Sequence, residues 1–361
     1  MSRDELLSIL NENRKKLFTI EDISGEVIKV TVLKKIDEVF KKGLEFYLDY
    51  TPINFNSSTK VFFRKKSFHS KLSIEDKRIV DSFESLKSLL DSYRVLTDSS
   101  DSSYPLKGEY TIKDNPKTVA EITKNYFLPE KNNLDHRQFL KDIISKLAAI
   151  NVYVFEFVET WNKKNKATID GVYIDPNVIV LKRQKSYKRE IFTLAHEIGH
   201  YLLGIEDIET LDMSKLDQYR HDSKVEEWCN NFAFYLIAGD AALEIDNFKR
   251  YSEDLNQVID RLSKLTHISR MAWYTRLAYK GVVPVPLYKR IIRGIEEEYA
   301  KKIQEEKEKQ KENPSGARTP KPIISPLYQE TMQLAFYNGL ISETTFCENL
   351  KISHKNIDKY L

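Results

Sequence analysis

The residues of this chain that could do chemistry are concentrated in one short run, His196-Glu197-Ile198-Gly199-His200. On an α-helix, positions i and i+4 share a face. Both imidazoles can therefore reach one ion, and the glutamate beside the first can reach a water on it. That is the minimal equipment for zinc-assisted hydrolysis of a peptide bond. The pattern is short, so its surroundings must support it. Ile191, Leu194, Ala195, Ile198 and Leu202 recur at helical spacing and predict a buried stripe, with His196 and His200 set off its centre toward a cleft. Gly204 is placed to end this helix in a left-handed cap. Two buried histidines beside a carboxylate are costly without a partner, and a metal ion is the partner that suits them.

A catalytic zinc takes three protein ligands and keeps one position for water. The next helical segment, Ser223 to Ala238, offers Glu226 and Asn230, four residues apart on one face. Cys229, Phe232 and Leu236 form the neighbouring apolar stripe. Glu226 could bind the metal while Asn230 steadies a ligand from behind. The same glutamate also completes a capping box with Ser223, in which it would only close the helix start. Glu227 is a rival ligand on a different face. Spacing leaves these readings open.

The run FTLAHEIGHYLL from Phe192 to Leu203, followed by EEWCNNFAFYL from Glu226 to Leu236, resembles the ImmA/IrrE family of metallopeptidases. That family shows a Phe-Thr pair before HExGH, then a helix with Glu-x-x-Ala-Asn-x-Phe-Ala. Asn230, Phe232 and Ala233 match, and Cys229 stands where alanine is usual. Ala238-Gly239-Asp240 replaces the Met-Pro that often follows, a departure at the helix end and not at the metal. The resemblance implies an α+β, mostly helical, zincin-like fold, with a small sheet packed on the HExxH helix and helical regions on either side. It implies His196, His200 and Glu226 as zinc ligands, Asn230 behind them, and Glu197 as the base that takes a proton from water and passes it to the leaving amine. Gly171-Val172-Tyr173 and Val178-Ile179-Val180-Leu181 are similar to the two strands before the zinc helix. The second is expected to pair with extended substrate as a sheet edge. Lys117 to Tyr126 is similar to the family's opening helix. Thr266 to Val283, with Ser269, Arg276, Leu277 and Gly281, is similar to its closing segment. The peptidase domain is thus expected over residues 111–285. His221, His267 and Tyr201 are candidates for a donor to the oxyanion.

With 361 residues, 41% of them hydrophobic and 31% charged, the chain suits two or three globular domains. Its net charge of +3 points to no particular partner. No run of eighteen apolar residues exists, so no membrane span is expected. Met1-Ser2-Arg3-Asp4-Glu5 lacks the apolar core of a signal peptide. Cys229 and Cys347 show no framework spacing, and a reducing cytoplasm is the expected compartment. Lys182, Arg183, Lys185, Lys188 and Arg189 lead into the zinc helix. They read as a solvated loop, or as a basic rim attracting an acidic substrate segment or nucleic acid.

Residues 1–58 read as a helical region. Leu6, Leu7, Ile9, Leu10 and Leu17 mark one helix, Thr19-x-x-Asp22 caps a second, and Val32, Ile36, Val39, Phe40 and Leu44 line a third. Longer relatives carry an Xre-type helix-turn-helix here, and Thr19 to Ile23 resembles its second helix. Gly25 instead leads into Glu26-Val27-Ile28-Lys29-Val30, a strand or an altered helix, and no recognition helix is evident. The motif therefore reads as degenerate. Residues 59–110 form a connector: a strand-like basic stretch, Lys60 to Ser67, a helix opened by Ser73 with Ile79, Phe83, Leu86, Leu90 and Tyr93 on one face, and a link from Thr97 to Pro105. Residues 286–361 comprise a charged helix, a linker at 313–322 and a C-terminal helical module. In that module Ser325-Pro326 opens a helix that Gly339 closes, and short helices follow over 342–350 and 353–361. The module resembles a helix-turn-helix fragment, or serves packing or dimerisation.

The resemblance implies a cytoplasmic zinc endopeptidase that performs limited, regulatory cleavage of a protein substrate, a helix-turn-helix repressor, in a stress, defence or mobile-element setting. A different reading is a transcription regulator or stress sensor that keeps the peptidase fold with little or no proteolysis, and DNA contact belongs to that reading. Intact Glu197 favours the enzyme, because a purely structural metal site has no use for a base. The chain outside the peptidase domain, namely the N-terminal region, the C-terminal tail or the 313–322 loop, is expected to gate the cleft.

Overall fold

Three short, nearly continuous apolar runs make the sheet that positions the site: β1 (Tyr153–Phe157), β2 (Gly171–Ile174) and β3 (Val178–Lys182). The computed structural model describes residues 3–11, 17–25, 27–40, 47–48, 74–99, 103–130, 135–158, 167–184, 186–206, 224–312 and 322–361. The chain divides into two units, Met1–Ser82 and Phe83–Leu361. Leu44, the strand-like stretch Lys60 to Ser67, Ser73, Lys185, His221, Ser223 and positions 313–321 of the linker lie outside the described residues.

In the first unit, α1 (Arg3–Asn11), α2 (Ile20–Ser24) and α3 (Val30–Phe40) bury Leu10, Ile23, Val32 and Ile36 together. Thr19 caps α2 in the expected box. The Asp22 amide donates to Thr19 Oγ1 at 3.3 Å, and the Thr19 amide donates to Asp22 Oδ2 at 2.9 Å. Helix α3 begins at Val30, so the segment after Gly25 leads into a helix and not a strand. Helix α4 (Ile74–Leu96) begins in this unit and ends in the second.

The second unit holds α5 (Pro116–Phe127), α6 (His136–Ala148), α7 (Tyr187–Leu203), α8 (Lys224–Ala238), α9 (Ala241–Asp246), α10 (Glu253–Leu265), α11 (Arg270–Tyr279), α12 (Val285–Glu312), α13 (Pro326–Tyr337) and α14 (Glu343–Leu350). With the small sheet, this is a mostly helical α+β architecture. Helix α7 packs against β2 and β3 on one side and α8 on the other, and α5 backs α8. Apolar residues from all of these elements share one core. Among the described residues, no helix is long and apolar enough to cross a membrane.

The sheet order is β1-β3-β2, with β1 parallel and β2 antiparallel to β3. This corrects one expectation. The strand Val178–Lys182 is central and hydrogen-bonded on both sides, so it has no edge to offer a substrate. The outer strand beside α7 is β2, which among the described residues pairs with β3 alone. The C-terminal module packs at β1, on the other side of β3. Tyr153 Oη and Thr331 Oγ1 lie 2.8 Å apart, Phe155 meets Tyr328 edge-on at 5.2 Å, and the Ile323 amide donates to Glu156 Oε2 at 2.7 Å.

Candidate metal centre

Helix α7 ends where the sequence places its cap. Gly204 adopts φ 61, a conformation that side chains other than glycine rarely take, and its Cα lies so near Gly108 that an added Cβ would stand 3.2 Å from the Gly108 Cα. Just past this turn, the Ile205 carbonyl faces His200 Nδ1 at 3.1 Å. From α8, Asn230 Oδ1 faces His196 Nδ1 at 3.1 Å. Carbonyl oxygens only accept, so each ring carries its proton on Nδ1 and presents a lone pair at Nε2.

Those two Nε2 atoms stand 3.1 Å apart. Glu226 brings one carboxylate oxygen to 3.1 Å from the first and the other to 3.3 Å from the second. All three side chains are buried, and one ligand atom from each lies within 4.8 Å of the others. Burial alone would raise the Glu226 carboxyl. Where protons on the Nε2 atoms take a cation's place, the hydrogen bonds and charges of His196 and His200 outweigh it and hold the group below the usual carboxylate range. Electron-rich nitrogen and oxygen donors converging in a buried space need a cation, or protons in its place, between them. Two imidazoles and a carboxylate fit a divalent metal ion, and the shell behind the imidazoles is already in place.

Glu197 lies beside this cluster, beneath β2. Burial pushes its carboxyl up to about 8; His196 opposes the shift, the Glu226 charge adds to it, and a hydrogen bond from the Tyr173 backbone opposes it. Its Oε2 is buried with no hydrogen-bond partner. Gly171 makes the close approach to the sheet possible. A Cβ there would stand 2.5 Å from Thr193 Cγ2 and 2.9 Å from Glu197 Oε1. Sequence reasoning placed Gly171 in a strand and missed this role, although an isolated glycine in a strand is itself a sign of close backbone approach.

Two of the candidate oxyanion donors are committed elsewhere. The Tyr201 hydroxyl donates to the Pro105 carbonyl at 2.6 Å. His267 stacks on Phe139 with centroids 3.7 Å apart, and its Nδ1 lies 2.8 Å from that of His136. The third, His221, is outside the described residues. The basic rim is also corrected. Arg183 pairs with buried Glu190 and lies over the Tyr187 ring, Arg189 pairs with Asp170, Lys188 donates to the Ser263 carbonyl, and Lys182 donates to the Ala167 carbonyl at 2.6 Å. These contacts hold the start of α7 to its surroundings: the two arginines pair with acids and the two lysines donate to backbone carbonyls.

A small sheet laid on a helix that carries two histidines and a glutamate, with a second glutamate from the next helix, defines a metallopeptidase architecture. Residues 148–278 match the family Peptidase_M78, the IrrE N-terminal-like domain. The chain therefore carries a domain of the ImmA/IrrE metallopeptidase family, as its motifs suggest. The match spans β1 to the end of α11 and includes His196, Glu197, His200, Glu226 and Asn230. No curated protein matches the chain.

Proposed function

We propose that the protein is a zinc-dependent endopeptidase whose peptidase domain extends over about residues 111–285. The observation that carries this reading is the convergence of His196 Nε2, His200 Nε2 and the Glu226 carboxylate beside Glu197. Those three side chains would hold the zinc, which would supply a Lewis acid and lower the pKa of water for attack on a carbonyl. Asn230 and the Ile205 carbonyl fix the imidazole tautomers and aim both Nε2 lone pairs at one point. Glu197, a buried carboxyl with raised proton affinity, accepts the proton of the attacking water and delivers it to the departing amine. The outer edge of β2, next to Glu197, takes the substrate as an added strand, so the scissile bond lies over the base.

The family resemblance supports limited cleavage of a helix-turn-helix repressor in the cytoplasm as the physiological reaction. It also supports a division of the remainder into a degenerate helix-turn-helix-like region at 1–58, a connector at 59–110 and a helical module at 286–361. The described part of that module lies at β1, with β3 between it and β2, which argues against the tail as a gate to the cleft. The test is metal content together with cleavage of candidate repressors. Wild type should hold one zinc per chain, lost in His196→Ala and Glu226→Ala, and Glu197→Gln should keep zinc but lose cleavage. Zinc without cleavage in wild type and in truncated forms would favour the sensing regulator, and absence of zinc would refute the metal assignment.

A further inference from the structure

A second group of metal-binding atoms meets on the C-terminal module, outside residues 148–278. Glu343 and Cys347 are four apart on α14 and share a face. Lys351 then takes a left-handed conformation, φ 53, with its amide directed back to the Cys347 and Glu348 carbonyls. The Ile352 amide donates to the Cys347 carbonyl at 2.9 Å. This turn reverses the chain, and the 3-10 helix His354–Lys359 returns along α14. His354 Nδ1 arrives 2.9 Å from Glu343 Oε1. One ligand atom from each of Glu343, Cys347 and His354 lies within 4.8 Å of the others.

We propose that Glu343, Cys347 and His354 form a second metal site, for a thiophilic divalent cation of the zinc type. Sulfur, imidazole nitrogen and carboxylate oxygen are the zinc donor set, with one tetrahedral position left for water or the second carboxylate oxygen. A thiolate ligand selects against magnesium and calcium, which prefer oxygen. Cys347 is buried, while the Glu343 and His354 side chains are more than half exposed, at 55% and 54%. The ion therefore enters from solvent between the two exposed ligands and rests on the sulfur beneath. As an ion pair alone, Glu343 and His354 would hold the chain end weakly, because solvent screens exposed pairs. A bound cation joins α14 to the last turn. That turn is also tied to α13, through Gln333 to the Tyr360 carbonyl and Tyr337 Oη to the Leu361 carbonyl at 3.0 Å. The site makes the order of the module that packs on β1 depend on metal.

Cobalt(II) titration of the full chain tests this, because only a sulfur ligand gives a strong near-ultraviolet charge-transfer band. The His196, His200 and Glu226 cluster contains no sulfur, so the two sites are told apart in one spectrum. The band should saturate at one equivalent of cobalt in the His196→Ala/His200→Ala variant, where the first site is gone, and by two equivalents in wild type. Cys347→Ser should abolish it. His354→Ala should weaken binding by more than about tenfold, the scale of loss seen even for outer partners of metal ligands. Circular dichroism checks that both variants keep their helices. Absence of the band in wild type, its survival in Cys347→Ser, or its appearance only at millimolar cobalt (an adventitious ion only) would overturn the proposal. Because the readout does not involve proteolysis, failure here is distinct from failure of the peptidase reading.

Discussion

His196, Glu197 and His200 meet by helical spacing alone: positions four apart on α7 put both imidazoles on one face, with the glutamate beside the first. Glu226 and Asn230 needed the resemblance to choose among alternatives, since a capping glutamate and a ligand glutamate look alike in sequence. The structure brings Glu226 to both imidazoles and Asn230 to the back of one. What sequence could not show is what has no side-chain signature. The second tautomer-fixing group is a backbone carbonyl, at Ile205; the clearance above Glu197 is a missing methyl, at Gly171, whose one trace in the sequence is a glycine inside a strand. That clearance gives a sharp prediction. In Gly171→Ala the new Cβ meets Thr193 Cγ2 and Glu197 Oε1 inside contact distance, so β2 or the base must shift. A misplacement of this kind lowers kcat by about 100-fold. Metal content should stay near wild type, because none of the metal-binding side chains is touched. Steady-state kinetics with metal analysis checks both, and a fully active Gly171→Ala enzyme would show that the approach of β2 does not position Glu197.

At the scale of elements, periodicity identified α7 and α8, but pairing order was not readable. The unbroken apolar run Val178-Ile179-Val180-Leu181 is what a strand covered on both faces requires, but covered faces do not distinguish a central strand from an edge strand. Strand β1 has no comparable signal in the sequence. It carries Glu156 in an otherwise apolar run, and the partner of that acid, the Ile323 amide, lies far along the chain. The approach of α7 to α8 depends on two small residues. A Cβ on Gly199 would stand 3.0 Å from Cys229 Sγ and 3.2 Å from the Cys229 Cα, so the contact includes backbone that cannot turn aside. Gly199→Ala should therefore push the helices apart and withdraw Glu226 from the imidazoles. The expected result is a loss of about 1–3 kcal/mol in stability and weaker metal binding. Denaturant unfolding of the metal-free protein reads the first and competition with a chelating dye reads the second. Unchanged metal affinity would mean that the helix spacing does not set the reach of Glu226.

At the scale of the whole molecule, one buried charge network links the sheet, the start of α7 and the C-terminal segment. Glu190 on α7 pairs with Arg183 and accepts the Gln184 amide at 2.6 Å, while Glu156 on β1 accepts the Ile323 amide. Burial pushes the Glu190 carboxyl up to about 8. The charge of Glu156 and a hydrogen bond to it act in the same direction, against Arg183 and the Gln184 amide. Two carboxylates and one guanidinium in a buried space thus retain a proton that the unfolded chain releases near the ordinary glutamate value of 4.5. Between these values the folded state binds more protons than the unfolded one, so stability falls as pH rises. The contribution is fully present below the unfolded value and is lost as pH passes through about 8. Glu156→Gln removes the second negative charge while its amide oxygen can still accept from Ile323. Glu190 can then ionise against Arg183 alone. Thermal unfolding of the metal-free protein from pH 5 to 9 should show a falling midpoint in wild type and a flatter profile in Glu156→Gln. The same slope in both proteins would mean that the shared proton lies elsewhere, and that the contact between the C-terminal segment and β1 does not respond to pH through this network.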